Sequence, residues 1–197
     1  MHLLITDSQL SYFSHVHPIQ DSSHFSLSTT FPHTGLFYLY LDFQPFGAIE
    51  QQFTFIVPVG SNDSQPASQA PDEYLSKTIS TYTVQLTPDN WQSSQLTSGS
   101  QSLNFTIQDS TGKAVTTLKP YLHAFGHLVM INQKTHEFVH VHPTGYILPG
   151  TDTDGGPGVE FLPIGLYAPI RPGIYRIFAQ FNPDNHLITA DFTLSVQ

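Results

Sequence analysis

The sequence contains no cysteine, few basic residues and no long apolar run. Without cysteine the chain cannot form disulfides, zinc–thiolate sites or iron–sulfur clusters, and it carries no thiol nucleophile. Six Lys and Arg stand against 15 Asp and Glu, a formal net charge of −9, and no basic cluster exists to neutralise a row of phosphates. We therefore expect neither nucleic-acid binding nor a membrane span.

Histidine is abundant where the other cationic residues are scarce. The eleven histidines outnumber Lys and Arg together, and 39% hydrophobic residues against 11% charged ones predict a globular protein with a core. The first seven residues lack the basic flank and apolar run of a secretory signal peptide. The chain is long enough for one large or two small domains.

An internal repeat predicts how the chain is divided. Residues 2–18 and 127–143 align without gaps and agree at seven of 17 positions, and residues 35–45 resemble residues 173–183. Residues 61–70 are rich in Ser, Gln, Pro and Asn, as in a flexible linker. The sequence predicts a first repeat at 1–60, a linker at 61–80 and a second repeat at 81–197.

Short alternating segments separated by Gly and Pro predict strands rather than helices. A β-sandwich is the predicted fold class. Strand-like segments at 81–118 precede His127, whereas copy one begins directly at His2. We therefore expect the first repeat to lack its opening strands. Because an unpaired sheet edge promotes association, a homodimer or strand exchange is the expected partner arrangement.

Both copies carry the motif His-x12-His-x-His-Pro. Residues two apart on a strand point to the same face, and the proline ends the strand. With a four-residue loop in each hairpin, His2 is predicted opposite His15, and His127 opposite His140, so that three imidazoles converge in each copy. The predicted metal ligands are His2, His15, His17, His127, His140 and His142, with His123 as an additional candidate in the second copy.

Three neutral imidazoles are typical ligands of Cu(II) or Zn(II), with a fourth position open to water. Capture of Cu(I) by soft ligands is disfavoured by the absence of cysteine and the presence of only two methionines. The remaining histidines are interpreted as surface or turn residues. Asp42 and Gln180 occupy equivalent positions on the strand face opposite the apolar residues, and we interpret Asp42 as a surface residue.

Several segments resemble a known group of proteins. The stretches 118–127, 138–143 and 172–175 are similar to those of bacterial extracytoplasmic proteins with immunoglobulin-like repeats and HxHP motifs, which are often linked to heavy-metal-binding domains. They are more distantly similar to periplasmic copper-resistance sandwich proteins. The resemblance implies two tandem immunoglobulin-like (cupredoxin- or copper-resistance-like) modules. It also implies an extracytoplasmic location and an upstream metal-binding domain or metal-donor protein as partner.

Three hypotheses follow for function. The first is a copper- or zinc-binding protein with one three-histidine site per repeat, acting in metal sequestration or delivery. The second is a zinc hydratase or hydrolase, since three histidines with an open position can activate water. No Glu or Asp stands at a fixed offset from both trios to move the proton, which disfavours it. The third is a structural or adhesive module whose histidines fill the core.

Metal binding by imidazoles predicts a pH dependence. Only the unprotonated ring binds a metal ion, and the unperturbed histidine pKa is about 6.5. We expect the affinity for Cu(II) or Zn(II), measured by calorimetric titration, to fall steeply below about pH 6.5. An affinity that is constant between pH 7.5 and pH 5.5 would contradict histidine ligation.

Overall fold

The computed structural model describes residues 1–60, 65–89, 101–122, 124–143, 158–164 and 170–196, with the backbone alone at residues 89, 101 and 158–164. Every regular element in these ranges is a β-strand, so the all-β prediction is confirmed. No helix in them is long and apolar enough to cross a membrane. The chain divides into two compact units, Met1–Ser68 and Gln69–Gln197, called here the first unit and the second unit.

The first unit is built on one four-stranded antiparallel sheet with the order β2-β1-β5-β6. A two-stranded ribbon, β3-β4, lies between the strands of this sheet in sequence. The strands are β1 (His2–Asp7), β2 (Phe13–Val16), β3 (Ile19–Gln20), β4 (Phe25–Ser26), β5 (Gly35–Phe43) and β6 (Gln51–Val59).

One face of the first unit's sheet carries a small apolar core. Leu3, Ile5 and Phe37 are buried there, and the partly buried residues around them include Leu39 and Leu41. On the neighbouring strand β6, Phe55 pairs with Leu39 and Phe53 with Leu41, which places both phenylalanines on the same face. They remain 52% and 47% exposed, so this apolar face is only partly covered.

The second unit contains two sheets, with the orders β11-β10-β13-β14 and β12-β9-β8-β7. A continuous core of buried aliphatic and aromatic residues from both sheets joins them, which confirms the β-sandwich class. The immunoglobulin-like detail stays a prediction. The strands are β7 (Ser76–Ile79), β8 (Tyr82–Asp89), β9 (Gln101–Gln108), β10 (His127–Asn132), β11 (Phe138–Val141), β12 (Gly158–Ile164), β13 (Gly173–Phe181) and β14 (Ile188–Val196).

Part of the linker predicted at residues 61–80 belongs to the second unit in the structure. Residues 69–80 belong to the second unit, where β7 pairs with β8. Within this unit, the carboxylate of Asp72 accepts a hydrogen bond from the backbone N–H of Thr193 at 2.9 Å and so ties the segment to β14.

The sheets that carry the histidine motifs have the same layout in both units. In each, the strand that begins with the first histidine of the motif is central. One neighbour is the hairpin strand with the second histidine, and the other is a nine-residue strand. The motif histidines of each unit are therefore carried by one hairpin.

The register of both hairpins differs from the predicted one by two residues. Thr6 pairs with Phe13 and Ile131 with Phe138, so each loop has six residues instead of four. His15 therefore lies opposite Leu4, and the predicted direct pairing of His2 with His15 is wrong. By the same shift, the predicted pairing of His127 with His140 is wrong, because His140 lies opposite Val129.

Polar side chains at the end of each first strand explain the longer loops. The Asp7 carboxylate accepts hydrogen bonds from the backbone N–H groups of Ser11 and Tyr12, at 2.7 and 3.1 Å. Asn132 Oδ1 accepts hydrogen bonds from the N–H groups of Lys134 and Thr135. Such side-chain acceptors stabilise turns that strand pairing alone would not favour. Because the shift is an even number of residues, every side chain keeps its predicted face.

The loop at Asn132 generates a testable prediction about Gly173. A Cβ at position 173 would lie 2.5 Å from Asn132 Nδ2, and the two hydrogen bonds to Oδ1 hold that amide in place. Gly112 is the matched control, because it has φ +81° and no atom within 4 Å of the added Cβ. We expect Gly173→Ala to lower the free energy of unfolding by about 2–3 kcal/mol and Gly112→Ala by about 1 kcal/mol, measured by denaturant unfolding. Equal losses would contradict this account of the loop.

Candidate metal centre

Each unit brings the three histidines of its motif to one face of its sheet. In the first unit, His15 lies opposite Leu4, which is two residues after His2 on the same strand. Continuing this register by one pair places His17 opposite His2. The corresponding pairs of the second unit place His142 opposite His127 in the same way. The alternation of the strands thus puts the predicted trios together, although the direct cross-strand partners differ from the predicted ones.

In the first unit, three ring nitrogens lie close together. His2 Nδ1 is 2.8 Å from His15 Nε2 and 3.1 Å from His17 Nε2. A tetrahedral ion with metal–nitrogen bonds of about 2.0–2.1 Å holds its ligand nitrogens about 3.3 Å apart. One ring nitrogen offers a single proton or a single lone pair, so it cannot form a well-directed hydrogen bond to two others at once.

The second unit repeats the arrangement with the same ring atoms. His127 Nδ1 lies 3.3 Å from His140 Nε2, and the ring of His142 is centred 4.9 and 4.7 Å from the rings of these two residues. The candidate ligand nitrogens of His2 and His15 are within 4.8 Å of each other, as are those of His127 and His140. These histidines lie close enough to hold a metal ion.

The histidines of each trio differ in exposure. His15, His127 and His140 are buried, His2 and His17 are half-buried, and His142 is exposed. Each trio therefore combines at least one buried imidazole with at least one that is partly or fully exposed. Burial keeps water away from the inner imidazoles, and the more exposed ring is the one that an ion from the solvent would meet first.

A backbone carbonyl orients the first histidine of the second unit. His127 Nε2 lies 2.8 Å from the carbonyl oxygen of Tyr121. A tight turn holds this carbonyl, because Tyr121 and Ala124 exchange two backbone hydrogen bonds of 2.8 and 3.0 Å. Metal-binding histidines commonly donate their second ring N–H to such an acceptor. Sequence reasoning did not identify Tyr121, because the acceptor is a backbone atom that any residue could supply.

Asp42 is buried in the structure, so its interpretation as a surface residue is wrong, and its counterpart Gln180 is buried as well. They are 4% and 5% exposed and lie directly opposite His2 and His127, respectively. Burial raises the pKa of Asp42, and a hydrogen bond with the Glu50 side chain acts in the opposite direction. Alternation correctly places Asp42 on the face away from Phe37 and Gln180 on the face away from Tyr175, but it does not show whether either face meets solvent.

Four of the remaining histidines belong to neither trio. His24 and His186 are exposed, the first 3.5 Å from Asp21 and the second against the ring of Tyr82. His33 Nε2 lies 3.4 Å from the buried carboxylate of Asp7, and burial lowers the pKa of His136. The seventh predicted ligand, His123, lies outside the described residues.

Fold and site together define an all-β protein with histidine clusters that are able to hold a metal ion. The chain belongs to the family described as domain of unknown function (DUF8832), whose profile matches residues 1–60 and 77–197. The match covers both histidine motifs. Searches of curated proteins and of solved structures find no match.

The contact with Tyr121 predicts the tautomer of His127. A carbonyl oxygen only accepts, so Nε2 carries the hydrogen and, in the neutral ring, Nδ1 presents its lone pair toward His140. Long-range ¹H–¹⁵N correlation spectra of the metal-free protein at pH 8 are expected to show the Nε2–H form of His127. The Nδ1–H form would show that this nitrogen is not available to a metal.

Proposed function

We propose that this protein binds copper or zinc ions through the three histidines of each unit and serves in metal sequestration or delivery. The observation that carries the proposal is the position of His2 Nδ1, within 3.1 Å of the Nε2 atoms of both His15 and His17. The second unit supports it with the same ring atoms of His127 and His140, 3.3 Å apart.

The donor set supports a borderline metal ion. Imidazole nitrogens are common ligands of Zn(II) and Cu(II), and no thiolate is available to favour softer ions. Copper binds nitrogen ligands more tightly than zinc does, so supply as well as affinity determines which ion occupies the sites. The titrations that test the proposal therefore use both Zn(II) and Cu(II).

The exposure of the third histidine supports exchange of the ion with a partner. His142 is exposed and His17 half-buried, so one ligand of each trio is accessible to an incoming donor or acceptor. A partner that approaches from the solvent can displace this ligand before the buried ones. A function outside the cytoplasm, with a metal-donor protein or an upstream metal-binding domain as partner, is proposed on the sequence resemblance alone.

Metal titration of single variants tests the proposal. We expect the unmodified chain to bind two Zn(II) or Cu(II) ions in calorimetric titrations, and His15→Ala and His140→Ala to bind one each. His24→Ala and His186→Ala are matched controls, because both side chains are exposed and lie outside the two motifs; they should bind as the unmodified chain does. Free metal at 100 times the dissociation constant should also stabilise the unmodified chain by about 2.7 kcal/mol per site.

The same variants distinguish a metal site from histidines that only fill the core. Core histidines predict that His15→Ala and His140→Ala lower thermal stability equally with and without a chelator. Under our proposal, a chelator destabilises the purified metal-loaded chain and has less effect on each variant. Absence of binding at micromolar concentrations of either metal would overturn the proposal.

A further inference from the structure

The outer strand of the first unit's sheet has an open edge. This strand, β6, lies last in the order β2-β1-β5-β6 and pairs with β5 on one side. Within the described part of the chain, residues 52–58 form no hydrogen bond on the side away from β5. The side chains of residues 52–56 are all exposed. A further strand can therefore approach β6 along this edge.

The hydrogen bonds of β5 show which residues of β6 face the open edge. The carbonyl oxygen of Leu36 accepts a hydrogen bond from the N–H of Ser8 at 2.9 Å, so the backbone groups of Leu36 point toward the β1 side. Backbone groups alternate sides along a strand, so those of Tyr38 also point toward β1. Its partner on β6 is Ile56. The N–H and C=O groups of Ile56, and of Thr54 two residues before it, therefore point to the open edge.

The second unit pairs the equivalent backbone groups. Arg176 corresponds to Tyr38 in the repeat, so its partner Thr193 on β14 corresponds to Ile56. Asp72 engages both outward groups of Thr193. Its backbone N–H donates to the Thr193 carbonyl oxygen at 2.8 Å, and its carboxylate accepts from the Thr193 N–H at 2.9 Å. The edge that is open on β6 is thus covered on β14 at this position.

The apolar face beside this edge differs between the units in the same direction. Phe53 and Phe55 correspond to Ala190 and Phe192 of β14. The two residues of β14 are fully buried in the core that joins the two sheets of the second unit. Phe53 and Phe55 are about half exposed. A strand added beside β6 would extend the hydrogen-bonded ladder and shield both phenylalanines.

The sequence of β6 lacks most of the features that protect an edge strand from pairing. Charged side chains, bulges, proline and short length are the usual protection. The nine residues QQFTFIVPV carry no charge, their pairing with β5 is continuous, and the proline is next to last. The strand at the opposite edge of the sheet, β2, has only four residues.

The absence of charge on β6 indicates what kind of strand fits it. An acidic or basic segment would find no opposite charge along residues 51–59. Two copies of the strand meet without repulsion between their own side chains. Antiparallel pairing of a strand with itself also has two-fold symmetry, which gives a closed contact between two identical chains.

A register centred on Thr54 uses the open edge fully. It places Thr54 opposite Thr54 of the second copy, and Gln52 opposite Ile56 of the second copy. The backbone groups of all these residues point to the edge, so the members of each pair exchange both of their N–H···O=C bonds. Pro58, which has no N–H to donate, lies outside these pairs.

The same register joins the apolar faces of the two copies. It places Phe53 opposite Phe55 of the second copy, and Phe55 opposite Phe53 of the second copy. Directly opposite aromatic residues of an antiparallel pair stabilise it. The rings that are half exposed in one chain would then form one cluster shared by both.

We propose that β6 is a self-association edge, through which two copies of the chain pair in antiparallel register centred on Thr54. The two first-unit sheets then form one continuous antiparallel sheet. This proposal narrows the association expected from the sequence to one strand and one register. It does not involve the motif histidines and is independent of the proposed metal binding.

Sedimentation equilibrium of the full chain tests whether it associates. A chelator is included, so that metal ions cannot bridge histidines of different copies. From micromolar to submillimolar concentrations, we expect the mean mass to rise from the 21.9 kDa of one chain toward twice that value. A mass that stays at 21.9 kDa over this range would overturn the proposal.

Charge substitutions test the edge and the register. Thr54→Lys places like charges opposite each other, and we expect it to raise the dissociation constant of the dimer at least about tenfold. Ser26→Lys is the matched control, because Ser26 is an exposed strand residue of the same unit; it should change the constant less than twofold. Thr54→Glu should act as Thr54→Lys does, and an equimolar mixture of these two variants should restore the dimer. A dimer that persists in each variant alone, or a mixture that stays monomeric, would contradict pairing at Thr54.

Amide hydrogen exchange tests the same edge without any substitution. We expect the N–H groups of Gln52, Thr54 and Ile56 to exchange slowly in concentrated solution and rapidly after dilution. Those of Phe53 and Phe55 face β5 and should change little. Rapid exchange of the three edge amides in a dimeric sample would place the contact elsewhere and overturn the proposal. Slow exchange of the three in a monomeric sample would show that another segment covers the edge, which also overturns it.

Discussion

The two-residue alternation of a β-strand is the constraint on which both the core and the candidate metal centre depend. On β1, Leu3 and Ile5 point into the apolar core while His2 and Leu4 point to the other face, and β10 divides its residues in the same way. One short strand thereby contributes to the core with one set of side chains and presents the motif histidine with the other. The histidines need not displace core residues, so core packing and the proposed metal binding do not compete for the same positions.

The hairpin loops determine which histidines become neighbours. Asp7 and Asn132 accept backbone hydrogen bonds and hold each loop at six residues, which sets the second histidine two positions away from direct pairing with the first. The offset brings Nδ1 of the first ring toward Nε2 of the second in both units. A change of one residue in either loop would turn the second and third histidines to the opposite face.

Those parts of the structure that depend on periodicity could be predicted from the sequence, and those that depend on surroundings could not. The apolar alternation predicts strands, and the spacing of the motif predicts that three histidines share a face. The register was wrong because single side-chain acceptors, Asp7 and Asn132, stabilise longer loops than the strand pattern requires. The burial of Asp42 and Gln180 was missed because alternation assigns a face without showing what covers it. The Tyr121 contact was missed because its acceptor is a backbone atom.

We propose that the three imidazoles of each motif bind one metal ion together. Anomalous X-ray diffraction from crystals of the protein purified in the presence of Zn(II), recorded on both sides of the zinc absorption edge, tests it most directly. We expect one anomalous peak about 2.0–2.1 Å from the Nδ1 of His2 and the Nε2 atoms of His15 and His17, with an equivalent peak at His127, His140 and His142. Peaks confined to exposed histidines such as His24 and His186, or no peak at either trio, would contradict it.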